Sequence, residues 1–421
     1  SPFIQGVRHF SHCGFDNLVM YNYGNPQNSS DGCTYIDPNP LSSLTGNGHN
    51  YFRRTNPYNV NSYAGFGEAY YQVASDLKLT GGLRWTDDQK HFVDIPSWVV
   101  TPGWGYPTSG IVDQEWKQFT GRFVATWTPK FVFTDQSLFY GSFSRGYKGG
   151  GANPPGPAVN QVSSTSAYSH PLTFAPEFNN AFELGTKNTI GDGAVTLNGD
   201  VFYYDYKGYQ ISEIIDRTSI NLNIDAKVKG AELESTWEPI PGLRFNLSAG
   251  YEASRINNGQ SSIDLMDRTA GHSDWLIVHP FPTATSNCLL PQSAVGTIIS
   301  HWRALRGGDD THPIPFANNS YDLSPLVLAC YAAYSLGVDP GLLSGVLTGF
   351  DPSTAPNGGA GFSKDLGGNE LPNTPHITLS WGAQYSLPVT SDWAATLRGD
   401  FYYQSDSWAR VFKDSPYDKR R

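Results

Sequence analysis

Leu77-Lys78-Leu79-Thr80-Gly81-Gly82-Leu83-Arg84-Trp85 places Leu77, Leu79, Gly81, Leu83 and Trp85 on one face and Lys78, Thr80, Gly82 and Arg84 on the other. Successive side chains of a strand point to opposite sides, so a period of two reads as β structure with one apolar and one polar face. The pattern returns along the chain. Val195, Leu197, Gly199, Val201 and Tyr203 alternate with Thr196, Asn198 and Asp200; Leu243, Phe245, Leu247, Ala249 and Tyr251 alternate with Arg244, Asn246, Ser248, Gly250 and Glu252. Ile377, Leu379, Trp381, Ala383 and Tyr385 alternate with Thr378, Ser380, Gly382 and Gln384, and Ala395, Leu397, Gly399, Phe401 and Tyr403 with Thr396, Arg398 and Asp400.

A soluble sandwich shows the same alternation. Length and connection pattern favour a membrane barrel, whose strands need about 9–11 residues and whose connections alternate short and long. The short connections are 74–76, 129–135, 188–193, 238–242 and 387–392; the long ones are 88–116, 146–176, 207–224 and 256–374. About ten strands follow, near 62–74, 77–88, 117–128, 136–146, 177–188, 194–206, 225–237, 243–255, 375–387 and 392–405. Tyr70, Tyr71, Trp85, Trp127, Tyr203, Tyr204, Trp237, Trp393, Tyr402 and Tyr403 gather at strand ends, as in interfacial girdles where a ring with a polar tip prefers the headgroup level. The expected fold is all-β: an antiparallel up-and-down transmembrane barrel with long extracellular loops.

Composition agrees. Aromatics make up 14% of the 421 residues, charged residues only 16%, and Gly is abundant at 44; aromatics suit strands and glycine suits turns and bends. The formal charge of −10 argues against a nucleic-acid partner, because phosphate binding wants a basic face. No run of about 18 apolar residues exists, so no membrane helix is expected; a barrel escapes that test because its strands alternate. Cys13, Cys33, Cys288 and Cys330 form two sequence-local pairs without zinc spacing. In an exported chain the natural reading is two loop disulfides; four unpaired thiols in a cytosolic chain is the other, and three connectivities are possible. The chain opens Ser1-Pro2-Phe3, shows no signal peptide and ends in a polar run, which reads as a piece of a longer precursor.

The connection 256–374 differs from the rest. Pro291–Leu305 reads as a helix with Val295, Ile298, Ile299, Trp302 and Leu305 on one stripe; Asp322-Leu323-Ser324-Pro325 and Asp339-Pro340 look like caps opening Leu326–Leu336 and Gly341–Leu347. Cys288 and Cys330 would staple this insert. It reads either as a helical lid or partner-docking surface, or as a folded decoration that keeps the loop compact.

Several stretches resemble the later barrel of TonB-dependent receptors. Gln72–Lys90 (QVASDLKLTGGLRWTDDQK) is similar to a hairpin ending in Gly-x-Arg-aromatic, and Leu138–Asn153 (LFYGSFSRGYKGGGAN) to the Tyr-x-Ser-x-Ser-x-Gly-Tyr strand with its Gly-rich loop. Pro176–Lys187 (PEFNNAFELGTK), Lys229–Trp237 (KGAELESTW), Leu243–Tyr251 and Leu371-Pro372-Asn373-Thr374-Pro375 resemble later strands in the same order. The resemblance covers about 62–418 and implies part of a barrel of about 22 strands. It further implies an outer-membrane location, contact with lipid, and energised uptake of a bulky nutrient: a ferric siderophore first, otherwise haem, cobalamin or an oligosaccharide. Coupling to the inner-membrane energy-coupling protein runs through a plug. No stretch here resembles that plug, the box that touches the coupling protein, or a last strand ending in an aromatic. The expected layout is 1–61 an external, disulfide-linked loop region, 62–255 barrel, 256–374 the external insert, and 375–421 barrel strands with the start of a further loop.

Candidate ligand residues sit where strands meet loops. Arg145, Tyr147 and Lys148 could pair with an anionic siderophore, and Trp98, Trp104 and Tyr106 could stack on sugars; a membrane girdle or loop packing would use the same residues. Arg84, Arg122, Glu183, Asp200, Glu232, Glu234 and Arg398 are expected to face the lumen, either as plug contacts or as plainly solvated wall. No cofactor is expected. Asp309, Asp310 and His312 have a metal-like spacing, but such a triplet in a Gly-rich loop is usually solvated, so no metal is assigned. No His-Glu-x-x-His, P-loop or Gly-x-Ser-x-Gly pattern points to an enzyme. A passive porin-like or structural barrel whose helical loop docks a partner is the alternative function, and a secreted carbohydrate-active β protein the third.

Overall fold

The computed structural model describes residues 20–22, 33–35, 57–94, 110–153, 173–215, 218–264, 266–278, 288–305, 354–359, 361–414 and 419–420. Ten strands make one sheet: β1 (Tyr58–Ala74), β2 (Leu77–Asp94), β3 (Gly110–Trp127), β4 (Gln136–Lys148), β5 (Glu177–Ile190), β6 (Val195–Ile215), β7 (Thr218–Ile240), β8 (Leu243–Ile256), β9 (Ile377–Pro388) and β10 (Ala394–Gln404). Each strand pairs antiparallel with its sequence neighbours, the up-and-down order of a barrel wall. β1 and β10 are its edges, and no ladder joins them among the described residues.

The register carries the alternation across the sheet. Leu83 lies opposite Gly67 and Gly121, Phe123 opposite Phe143, and Phe143 opposite Phe182; Val201 lies opposite Leu184 and Ala231. These residues form one continuous apolar face, and it is open: Leu83 is 60% exposed, Leu184 63% and Leu397 78%. An apolar patch of that extent is far beyond what a water-facing surface carries and fits contact with lipid. The other face bears Arg84, Arg122, Asp200, Glu232 and Gln384 by the same parity, the polar interior of a membrane barrel.

At the short-turn end Trp127 donates from Nε1 to Asp76 (2.9 Å) and packs against Phe131 and Phe139, while Trp237 stacks on Phe245. This is an aromatic girdle at one rim. The opposite rim reaches much further than expected. β6 and β7 are 21 and 23 residues long, so 207–224 is not a long loop but a continued hairpin, paired from Tyr209↔Ile224 out to Ile215↔Thr218 after a bulge at Tyr206/Tyr209. Likewise β2 and β3 pair out to Asp94↔Gly110, and β1 begins at Tyr58. The reason is a change of solvent. Above the apolar band the outside is water, and the buried side chains Ile220, Ile224, Ala226 and Val228 switch to the inner face.

Within 256–374 the expected helix is present as α1 (Gln292–Leu305), preceded by a ladder of Trp275–Val278 with Cys288–Pro291. Leu289, Leu290 and Ala294 are buried there. The helices expected at 326–336 and 341–347, and the Asp309/Asp310/His312 triplet, lie outside the described residues. No described helix is long and apolar enough to cross a membrane.

Candidate ligand site at the external mouth

Two structures meet at the long-loop rim: the roots of the loops between β2 and β5, and a folded segment over the inner face of β6–β8. The Gly149-Gly150-Gly151 run after β4 is clamped from both sides. Lys90 donates from Nζ to the Gly150 carbonyl (2.5 Å) and lies over the Trp116 ring at 5.2 Å, and Gln114 donates to the Gly151 carbonyl (3.2 Å). From β6, Gln210 Nε2 donates to the carbonyls of Gly149 and Ala175, both at 3.1 Å. Only glycine fits here: a Cβ on residue 150 would stand 2.3 Å from the Phe174 carbonyl oxygen and 2.8 Å from the Trp116 ring. The loop closes on the Gly151-Ala152 ladder with Thr173-Phe174, and buried Asn153 bridges to the Asn221 backbone as donor (2.9 Å) and acceptor (2.7 Å). The two roots of the loop, 149–153 and 173–175, are thus tied to the strands and to each other.

Of the expected ligand residues, Arg145 shares the face of Phe143 and is already engaged. Its Nη1 donates to Asn180 Oδ1 (2.9 Å) and its guanidinium lies over the Phe178 ring at 4.5 Å. Tyr147 packs on the same Phe178 ring (5.6 Å), and Lys148, exposed, has Glu177 at 3.9 Å. Phe178 and Glu177 thus gather the three at one strand end. Trp98, Trp104 and Tyr106 lie outside the described residues. Cys33 and Cys288 fall in short strands; Cys13 and Cys330 lie outside the described residues, so both expected pairings do too.

The folded segment escaped the sequence reading. Leu366, Leu371, Val411 and Phe412 form a buried core with Phe202, Ile211, Ile224, Ala226, Val228 and Ile256 of β6–β8. Backbone bonds zip it on: Gly368 N to Ile256 O (2.9 Å), Ile256 N to Asn369 O (2.7 Å), and Asn373 N to Trp408 O (2.7 Å). An ion network ties the insert to the chain after β10. Asp264, 1% exposed, accepts from Arg410 Nη1 (2.7 Å) and has Lys364 Nζ at 3.4 Å; Lys364 also meets Asp267 (2.8 Å) and Asp414. Burial pushes the Lys364 ammonium down, but the hydrogen bonds to Asp267 and Asp414 hold it above its ordinary value. The Lys364 hydrogen bond, working against burial, holds Asp267 below the usual carboxylate range. Burial pushes Glu370 up, but Lys413 (2.9 Å) and His376 (3.2 Å), by hydrogen bonds and charge together, hold it below its ordinary value. The only sequence hint was a cluster of opposite charges in 364–370 and 410–414, which reads as solvated loop unless the partner segments are known to meet.

On the polar face, Glu68 on β1 reaches across Gly82 to Arg122 on β3 (2.7 Å), and Tyr140 donates to Glu183. Arg398 pairs with Asp400 (2.8 Å). Among the described residues no group of three or more His, Cys, Asp or Glu is placed to hold a metal ion.

This geometry has relatives. The chain is similar in fold to the ferric yersiniabactin uptake receptor FyuA from Yersinia pestis: 14% identity over 85% of this chain and 36% of that one, TM-score 0.48. It is similar to the siderophore receptor PiuA from Acinetobacter baumannii at 14% identity over 84% of this chain and 34% of that one, TM-score 0.47. The chain therefore spans about a third of the length of these receptors. A family model described as TonB dependent receptor-like, beta-barrel matches residues 6–276, so this chain belongs to the TonB-dependent receptor β-barrel family.

Proposed function

We propose that the chain is part of an outer-membrane receptor barrel for energised uptake of a scarce, bulky nutrient, with a ferric siderophore as the first candidate and haem, cobalamin or an oligosaccharide as the others. The carrying observation is the family match on a meander whose outer face is apolar and whose inner face is polar. In this reading the apolar face meets outer-membrane lipid. Binding falls to the long-loop rim, and the inner-membrane energy-coupling protein acts through a plug in the longer protein. The helical insert around α1 is either a lid over the mouth or the seat of a protein partner.

The proposed contact residues are Arg145, Tyr147 and Lys148, with Trp98, Trp104 and Tyr106 from the loop between β2 and β3. Lys148 is the most available, because Glu177 stands 3.9 Å away and an anionic ligand competes well with so loose a pair. Titrating the membrane-extracted protein with ferric hydroxamate and catecholate complexes, haem and cobalamin, followed by tryptophan fluorescence, tests the reading. Saturable binding of one of them, weakened by deleting 149–170, is expected. Undiminished affinity after that deletion rejects the site, and no binding across the panel rejects the iron-complex, haem and cobalamin readings.

A further inference from the structure

Four aromatic side chains climb the inner face of β6. Phe202, Tyr204 and Tyr206 take successive inward positions, and the bulge at Tyr206/Tyr209 keeps Tyr209 in the same line. From one rung to the next the ring centroids are 4.7, 6.4 and 5.3 Å apart. Same-face residues of a strand stand about 6.6 Å apart, so the rings follow one another without a break. Phe202 is buried, whereas the three tyrosines are half-buried. Folded parts of the mouth stand on both sides of them. On the β5 side Gln210 holds the Gly149 and Ala175 carbonyls of the loop root. On the β8 side the docked segment is zipped to Ile256, which shares a row with Tyr206 across Ala226.

The oxygens beside this ladder want donors. Asn179, the cross-strand partner of Tyr206, has a buried Oδ1 with no hydrogen-bond partner. Glu252 lies in the row of Phe202, beyond Gly230, and the carboxylates of Glu177 and Glu252 are both close enough to act on the Tyr206 and Tyr209 phenols. No hydrogen bond among the described residues engages the hydroxyls of Tyr204, Tyr206 or Tyr209. Lower on the same face Glu183, Asp200 and Glu232 add three more carboxylates. A buried acceptor left unpaired costs its full desolvation, so a ligand gains most here by bringing hydroxyl or ammonium donors. A ferric catecholate or a haem propionate brings charge of the wall's own sign and gains least. Flat rings in series also offer apolar faces to the C–H faces of linked sugar rings, with a few placed polar groups to fix orientation. We infer that Tyr204, Tyr206 and Tyr209, with Asn179 and Glu252, form a subsite for an oligosaccharide of neutral or amino sugars. The inference rests on the uptake-receptor reading and chooses among its nutrient classes.

The test uses the intact protein extracted in mild detergent. Hexamers of α-1,4-linked glucose, β-1,4-linked glucose, glucosamine and galacturonic acid are each titrated in by calorimetry, beside the ferric complexes. Saturable binding of at least one of the first three, and none of the galacturonate, is expected. Affinity should fall at least about tenfold in Y206L/Y209L, which keeps the apolar bulk. The bound sugar should also shield Tyr206 and Tyr209 of the wild-type protein from nitration by tetranitromethane, read by peptide mass. No binding of the first three hexamers while a ferric complex binds overturns the inference and leaves the receptor reading standing. Failure of the ferric complexes and the hexamers alike brings down both. Galacturonate binding as well as the others overturns the inference, and so does a double variant that binds as wild type does. If the double variant does not fold, nitration decides alone: modification of both tyrosines unchanged by the sugar overturns the site.

Discussion

Gly230 on β7 leaves no space for a side chain. A Cβ there would lie 2.2 Å from the Tyr251 carbonyl oxygen and 2.5 Å from Cζ of Phe202, whose ring covers the position from β6. Backbone of a neighbouring strand cannot yield as a flexible side chain can, so Gly230→Ala is expected to destabilise the wall by about 1–3 kcal/mol. A thermal midpoint matching wild type in gel-mobility unfolding would contradict the close approach. Asp264 is the opposite case, a residue defined by its partners. Removing its charge with Asp264→Asn takes from Arg410 its 2.7 Å carboxylate contact and from Lys364 one of three carboxylates, at a cost of about 1.5–3 kcal/mol for losing a hydrogen bond to a charged group. That cost falls on docking of the folded segment against β6–β8. Limited proteolysis should then cut within 361–376 while the strands stay resistant, and resistance equal to wild type would show the network is dispensable. Neither role is legible in sequence. Gly230 sits in an ordinary KGAELESTW strand and Asp264 in an ordinary polar loop, and each becomes special only through what the register or the fold sets beside it.

The strands themselves were readable, because a transmembrane strand states its period residue by residue. Leu77–Trp85 and Leu243–Tyr251 lie within β2 and β8, in the paired order that alternation implies. The hairpin arms at 207–224 were not readable, for a reason built into the rule. Within the band the apolar residues point outward; above it Ile211, Ile220 and Ile224 point inward to a core, and a bulge at Tyr206/Tyr209 breaks the phase. One strand thus obeys two opposite patterns, and the outer half reads as loop. The docked segment makes its own prediction. Asp267 and Glu370 titrate below their ordinary values of 3.8 and 4.5, so their stabilisation is complete above those values and lost as pH falls through the depressed ones. Lys364 titrates above 10.5, so its share is complete below that pH and lost as pH rises through the elevated value. Hydrogen exchange, corrected for intrinsic rate, should show protection at Leu366, Gly368 and Leu371 constant between roughly pH 5 and 10. That protection should fall at both extremes before the β6–β7 ladder opens. Loss of protection in both regions at the same pH would mean the segment has no separate stability.

For the whole molecule, the question that alternation left open was which side faces what. A soluble sandwich hides its apolar face, whereas here Phe123, Leu184, Trp381 and Leu397 remain open on a single ten-stranded sheet. That choice was not in the period itself, which is the same for both folds; it lay in strand length, in the alternation of short and long connections, and in the aromatic rims. Leu247 and Ser248 on β8 separate the two cases with adjacent residues. Leu247 lies opposite Trp381 in the middle of the outward band, and Ser248 lies opposite Glu234 and Ser380 on the polar face. An arginine at the lipid-facing midplane costs about 2–4 kcal/mol, whereas one facing a polar lumen costs little. Leu247→Arg should therefore lower folding efficiency in phosphatidylcholine vesicles sharply. Ser248→Arg, beside the Glu234 carboxylate, should stay within about 1 kcal/mol of wild type. Were the two substitutions equally tolerated, the apolar face would be meeting something other than hydrocarbon. Were Ser248→Arg the more damaging, the inside and outside of the wall would have to be exchanged.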